Sequence, residues 1–161
     1  MILGMSVAAF TKLHVIISLI GIASGFVIVW GLWTARRFAG WTALFLTTTT
    51  LTSATGFMFP LKQVGPPHVV GAISLAVLAV ALYALYERRL AGRWRWIYVV
   101  AAVAALYLNA FVGVVQAFQK IPFFNALAPT RTELPFAIAQ LLTLGIFVFS
   151  GILGVRQFRP A

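Results

Sequence analysis

Five long apolar runs divide this chain, at roughly residues 13–35, 41–59, 68–86, 96–118 and 135–155. Each holds about 19–23 residues, and a helix rising about 1.5 Å per residue needs about 20 to cross a bilayer's hydrocarbon core. A soluble domain of 161 residues has no room to bury five such runs. The balance of residues agrees: 62% are hydrophobic and 9% charged, with a mean hydropathy of +1.02. Soluble domains are about half apolar and a quarter charged. In hydrocarbon no water bonds the backbone, so each run must satisfy its own N–H and C=O groups as a helix. The expectation is an all-α integral membrane bundle of five transmembrane helices, one domain over 1–161.

The net charge is +10, twelve Lys and Arg against Glu87 and Glu133. In a soluble protein that excess points to nucleic acid. Here the basic residues stand at the ends of apolar runs, and no base-stacking or phosphate-cradling motif accompanies them. They therefore read as topology signals. Arg36, Arg37, Arg88, Arg89, Arg93, Arg95, Arg156 and Arg159 flank one side; Lys12, Lys62, Lys120 and Arg131 flank the other. The positive-inside rule places the first group in the cytoplasm, the N-terminus outside and the C-terminus inside. Trp30, Trp33, Trp41, Trp94 and Trp96 share the arginine side as an interfacial belt. The other side carries Phe57, Phe59, Phe118, Phe123, Phe124 and Phe136, which either line a lipid-facing opening or pack the outer loop. The first eleven residues lack the basic start of a signal peptide and are expected to lie at the outer surface or to extend the first helix. The expected setting is the bacterial inner membrane. The expected partners are the lipid bilayer and a homo-oligomer or larger membrane complex.

Two stretches of the chain match. "HVIISL" (His14–Leu19) resembles "HVVGAISL" (His68–Leu75), and "RRFAGW" (Arg36–Trp41) resembles "RRLAGRW" (Arg88–Trp94). The first two runs and the next two therefore read as a parallel duplication of one helical hairpin, related by an axis along the membrane normal. Both histidines then stand at one symmetry-related position, the start of an apolar helix near the outer surface.

Helical offsets of 0, 4, 7 and 11 share a face. On the first run they select His14, Ser18, Gly21 and Gly25; on the second, Thr48, Thr52, Thr55 and Phe59; on the fourth, Asn109, Gly113, Gln116 and Lys120. The last run adds Gln140 and Thr143. Small residues let membrane helices approach closely, and Gly21-x-x-x-Gly25 has the familiar spacing. Asn109 lies about 16 Å along its helix from Lys120 and needs a partner there, either another helix or a ligand. In the outer loop, Gln119–Leu134, Thr130 and Glu133 are spaced as a capping box for the last helix.

The candidate ligand-binding residues are His14, His68, Asn109, Gln116, Lys120, Glu133 and Gln140, because polar and ionisable groups at membrane depth are functional suspects. No catalytic set is recognisable. The chain has no cysteine, no aspartate, no phosphate-binding Gly-rich loop, no GxSxG and no HExxH. The expectation is a non-catalytic protein that binds a small or lipophilic ligand, or acts as an accessory subunit. It would do so through an outward-facing polar pocket roofed by the long outer loop. Two alternatives stand beside it. One is a redox protein holding haem b or a quinone near the outer leaflet, with His14 and His68 as the only available haem ligands. The other is a small transporter.

The stretches "TSATGFMFP" (Thr52–Pro60), "PPHVVGAISL" (Pro66–Leu75), "RWIYVVAAVAALYLNAFVGVVQAF" (Arg95–Phe118) and "LAPTRTELPF" (Leu127–Phe136) resemble a group of small bacterial multi-span membrane proteins with no assigned function. The resemblance covers most of the chain and implies a membrane bundle without implying an activity. The group's outer loop often looks like APTQ-x-E-P-P-F. Arg131 stands here in place of its Gln, and Leu134 in place of the first Pro of its pair.

Overall fold

A computed structural model describes residues 2–59 and 65–159; Pro60, Lys62 and Gln63 lie outside the described residues. Six α-helices account for most of it: α1 Val7–Trp33, α2 Ala39–Gly56, α3 Pro66–Leu82, α4 Trp94–Lys120, α5 Pro122–Leu127 and α6 Leu134–Gln157. A π turn, Tyr83–Glu87, prolongs α3. The described residues form no strand beyond one isolated bridge between Ile2 and Met5. Four helices are long and apolar enough to cross a membrane: α1, α3 with its π turn, α4 and α6. The remaining long helix, α2, has 18 residues, seven of them threonine. Its hydroxyls turn inward on their own backbone, Thr48 onto the Leu44 carbonyl at 2.7 Å and Thr55 onto that of Leu51 at 2.6 Å. Such back-bonding hides polarity without a partner helix.

Several boundaries move from those expected. Of the two expectations for the first eleven residues, extension of the first helix is the one seen: α1 begins six residues before Leu13, because Ser6 caps it by accepting from the Ala9 N–H at 3.2 Å. His14 therefore sits two turns inside its helix rather than at its start. His68 does open its helix: it is the third residue of α3, and the Gly65 N–H donates to its Nδ1 at 3.2 Å. The outer loop contains α5, started by Pro122, a short helix that the sequence reading did not include. The Thr130–Glu133 capping box is also corrected. Glu133 is itself the N-cap residue of α6, and its carboxylate turns back to the loop.

The matching arginine turns adopt different conformations. After α1, Ala35 takes a left-handed φ of 55° and the Arg36 N–H reaches the Gly31 carbonyl at 2.9 Å, a Schellman closure. Gly31 has to be bare there, since a Cβ would lie 2.6 Å from the Arg36 oxygen. After α3, the helix instead widens into the π turn, with left-handed Arg89 and Leu90.

The helices α1, α2, α3 and α4 pack in a ring, each against the next and α4 back against α1. α6 lies outside, seated on both α1 and α4. The ring closes because α1 is bare where α4 arrives. A Cβ on Gly25 would stand 2.3 Å from Leu106 Cδ1, and one on Gly154 of α6 would stand 2.9 Å from Val99 Cγ1. Around these contacts Leu32, Phe45, Leu46, Leu78, Ala102 and Leu106 form the core, each at most 3% exposed. Two ends can now be named. The arginine end holds the turns after α1 and α3 and the C-terminus of α6; the histidine end holds His14, His68 and α5.

Gly25→Leu is expected to destabilise the protein by about 1–3 kcal/mol, the usual cost of overpacking. Gly145→Leu, where a Cβ meets nothing within 4 Å, should leave stability unchanged. Thermal unfolding of both variants in detergent measures the difference.

Candidate functional site

The glycine face of α1 brings α2 and α4 close enough for their polar side chains to meet. Midway along the bundle Ser18 Oγ donates to Asn109 Oδ1 at 2.8 Å, and Asn109 Nδ2 donates to the Ser18 carbonyl at 3.4 Å. Asn109 is 7% exposed. Its amide thus finds the interhelical partner that burial demands. Three polar atoms converge on the bare Cα of Gly21. A Cβ there would lie 3.0 Å from Thr49 Oγ1, 3.1 Å from Asn109 Nδ2 and 3.3 Å from Thr48 Oγ1. The hydroxyl of Thr49 has no hydrogen-bond partner among the described residues, nor has that of Thr52 one turn further out.

Toward the histidine end the same seam continues. His14 Nδ1 and Thr55 Oγ1 are 2.8 Å apart, and the Phe59 ring meets the imidazole edge-on at 5.2 Å. Gln116 and Lys120 are exposed on α4. His14 and Asn109 belong to one seam between α1, α2 and α4, with Thr49, Thr52 and Thr55 as its α2 wall; helical spacing puts Gln116 and Lys120 on the Asn109 face of α4, outward of that contact.

The other three candidates lie elsewhere. His68 packs against the Phe57 ring at 5.6 Å on the α3 side of α2. The two imidazoles thus flank the end of α2, which stands between α1 and α3. Gln140 bridges α6 to α4, its Nε2 donating to the Phe111 carbonyl at 3.3 Å while its Oε1 stays buried and unpartnered. Glu133 serves the loop. Thr130 Oγ1 donates to its carboxylate at 2.7 Å, the Thr130 N–H at 3.1 Å and the Thr132 N–H at 3.0 Å. These hydrogen bonds, the Thr130 hydroxyl first, hold the carboxyl below its ordinary value.

The long loop packs on the end of α4. Phe118 takes Phe124 and Phe136 at 5.3 Å each, and Asn125 Nδ2 donates to the Phe118 carbonyl at 3.1 Å. These outer phenylalanines pack the loop. Phe57 and Phe59 instead pack against the histidines. No group of three or more His, Cys, Asp or Glu side chains comes together among the described residues.

Burial is uneven along the bundle. From the level of Asn109 to the arginine end, every long helix carries fully buried residues. Toward the histidine end the long helices bury fewer of their described residues: Phe10, Phe118 and, close to the level of Asn109, Ser74. The polar seam occupies the loosely packed half, with Ser18 and Asn109 at its floor.

Two outcomes are expected. Asn109→Leu should destabilise the protein by about 1 kcal/mol, and a double-mutant cycle with Ser18→Ala should recover most of that as coupling. Because Glu133 titrates lower in the folded protein, its hydrogen bonds stabilise the loop above the ordinary carboxylate pKa of 4.5 and are lost as pH falls through the lowered value. The Thr130 and Thr132 amide resonances should therefore titrate below pH 4.5, and Glu133→Gln should abolish that titration.

Comparison with protein-family models, with curated proteins and with solved structures finds no match. What the site does is therefore argued from its own residues.

Proposed function

We propose that this chain is a five-span protein of the bacterial inner membrane, N-terminus outside. On this reading it binds a small or lipophilic ligand without catalysis, through the polar seam between α1, α2 and α4. Chain direction supports the fifth span. α1 finishes at the arginine end and α3 starts at the histidine end, so α2 must run the length between them. Its 18 residues reach about 27 Å. The eight-to-four split of basic residues supports the orientation.

The observation that carries the binding role is the uneven burial. A bundle whose helices meet only to close a hydrophobic core has no reason to leave one half loose and to gather its polar side chains there. Ser18, Thr49, Thr52, Thr55, His14 and Asn109 offer hydrogen-bond donors and acceptors, two of the hydroxyls without partners among the described residues. Such a lining suits an uncharged, hydrogen-bonding ligand entering from the outer side. The absence of a carboxylate in this seam argues against coupling to a cation gradient. Haem ligation by His14 and His68 is not favoured by their placement on either side of α2.

The lack of native cysteine makes the seam directly testable. Gly113→Cys lies about 6 Å outward of Asn109 along α4. It should react with a membrane-impermeant thiol reagent added from outside. Ala102→Cys, in the packed half, should not. Equal labelling of the two would sink the outward-facing site. Reporter fusions should read cytoplasmic after Arg159 and periplasmic at Thr130. The purified protein should show no Soret band.

A further inference from the structure

A second site lies on the opposite flank of the bundle, where α6 crosses α4. These helices enclose a groove of about 440 Å³. Its floor on α4 is Val100, Val103 and Ala104, and its wall on α6 includes Phe147 and Gly151. Tyr107 and Leu144 close one end, and Arg156 stands at the other. From Leu144 to Arg156 is 12 residues of α6, about 18 Å. Half of a hydrocarbon core of about 30 Å is close to that length. The groove thus serves one leaflet, from the arginine-end interface to about the bilayer centre. A partner's transmembrane helix would need a groove through both leaflets. Here the outer half of α6 is convex instead, with Leu141 67% and Leu142 62% exposed.

Charge identifies the polar end of the occupant. Arg156 is exposed, and it is not needed to cap its own helix. Arg95 does that, donating to the Val155 carbonyl at 3.1 Å and to that of Phe158. The chain's two glutamates cannot serve Arg156 well: Glu133 caps the far end of α6, and Glu87 lines the α3–α4 turn beside Arg88 and Arg93. Trp96, 44% exposed, stands one turn beyond Val100 on the same face of α4, at headgroup level. An apolar slot of one-leaflet length ending in an arginine and an interfacial tryptophan has the form of an amphiphile site.

We infer that the α4–α6 groove binds one acyl chain of an anionic phospholipid of the arginine-end leaflet, with Arg156 receiving the phosphate. This site is separate from the polar seam and does not depend on what binds there. Basic pockets between transmembrane helices are a recurrent way of holding anionic headgroups. Gly151 keeps the slot open. A Cβ there touches only Val103 Cγ1, at 3.7 Å, so a larger side chain can extend into the groove without displacing the backbone.

Native mass spectrometry of the full chain in detergent, titrated with dioleoyl phosphatidylglycerol, dioleoyl phosphatidylcholine or oleate, tests this. Phosphatidylglycerol should be retained about fivefold better than phosphatidylcholine, the factor for one arginine at about 1 kcal/mol. Arg156→Gln should level the two, and Gly151→Leu should weaken both, each variant keeping the parent's thermal transition. Equal retention of the two phospholipids by the parent chain overturns the assignment with no variant needed. So does a preference that survives in Arg156→Gln, or oleate binding in place of phosphatidylglycerol. A dimer that excludes lipid and is lost in Gly151→Leu would also overturn it, assigning the groove to a second copy.

Discussion

The distance between α1 and α4 governs the rest of the molecule. Among apolar surroundings there is no hydrophobic gain in bringing two helices together, so close packing and interhelical hydrogen bonds must supply the attraction. Gly25 supplies the packing by admitting Leu106 where any side chain would collide with it. Gly21, one turn outward, lets the threonines of α2 and the amide of Asn109 converge. The Ser18–Asn109 pair is a product of that approach, since neither side chain could span a wider gap. One bare helix face thus sets both the hydrophobic core and the polar seam.

These two consequences separate along the bundle axis. Below Gly21 the contacts are apolar and complete. Above it, the helices keep their polar groups facing one another while losing full burial. Burial carries a cost where hydroxyls such as those of Thr49 and Thr52 find no partner among the described residues. On the proposed reading a ligand or water completes the hydrogen bonds that these hydroxyls leave open.

Much of this was legible in the letters. The apolar runs located all five long helices, because the demand for an internally bonded backbone leaves a single solution over such lengths. The helical offsets put His14, Ser18, Gly21 and Gly25 on one face, and all four meet α2 or α4 across it. Asn109 was legible as an inward residue, though nothing in the sequence named Ser18 as its partner. Local signals failed where two rules competed. The apolar run begins at Leu13 and leaves open whether the residues before it extend the helix; Ser6 decides this by starting α1 at Val7, and the Lys12 stem is tolerated near the helix end. Thr130 and Glu133 had capping-box spacing, but the helix starts after the pair instead of within it. The π turn after α3 has no sequence signature, so two similar arginine turns read as equivalent and are not. The grouping of candidate residues was the weakest point. His68, Glu133 and Gln140 share the outer end with His14, yet depth along a bundle does not fix which flank a residue occupies. The α4–α6 groove escaped notice for a related reason: its lining is ordinary apolar sequence, and only the crossing of two helices makes it concave.

The seat of α6 has a consequence for how the bundle assembles. That seat is composite. Leu32 and Trp33 come from the first hairpin, and Val99 and Arg95 from the second. Trp33 Nε1 reaches the Ser150 carbonyl at 3.4 Å, while Arg95 holds the last carbonyls of the same helix. Neither hairpin alone offers both halves. The seat of α6 is therefore complete only when the two hairpins have met, and a fully docked α6 reports a closed ring.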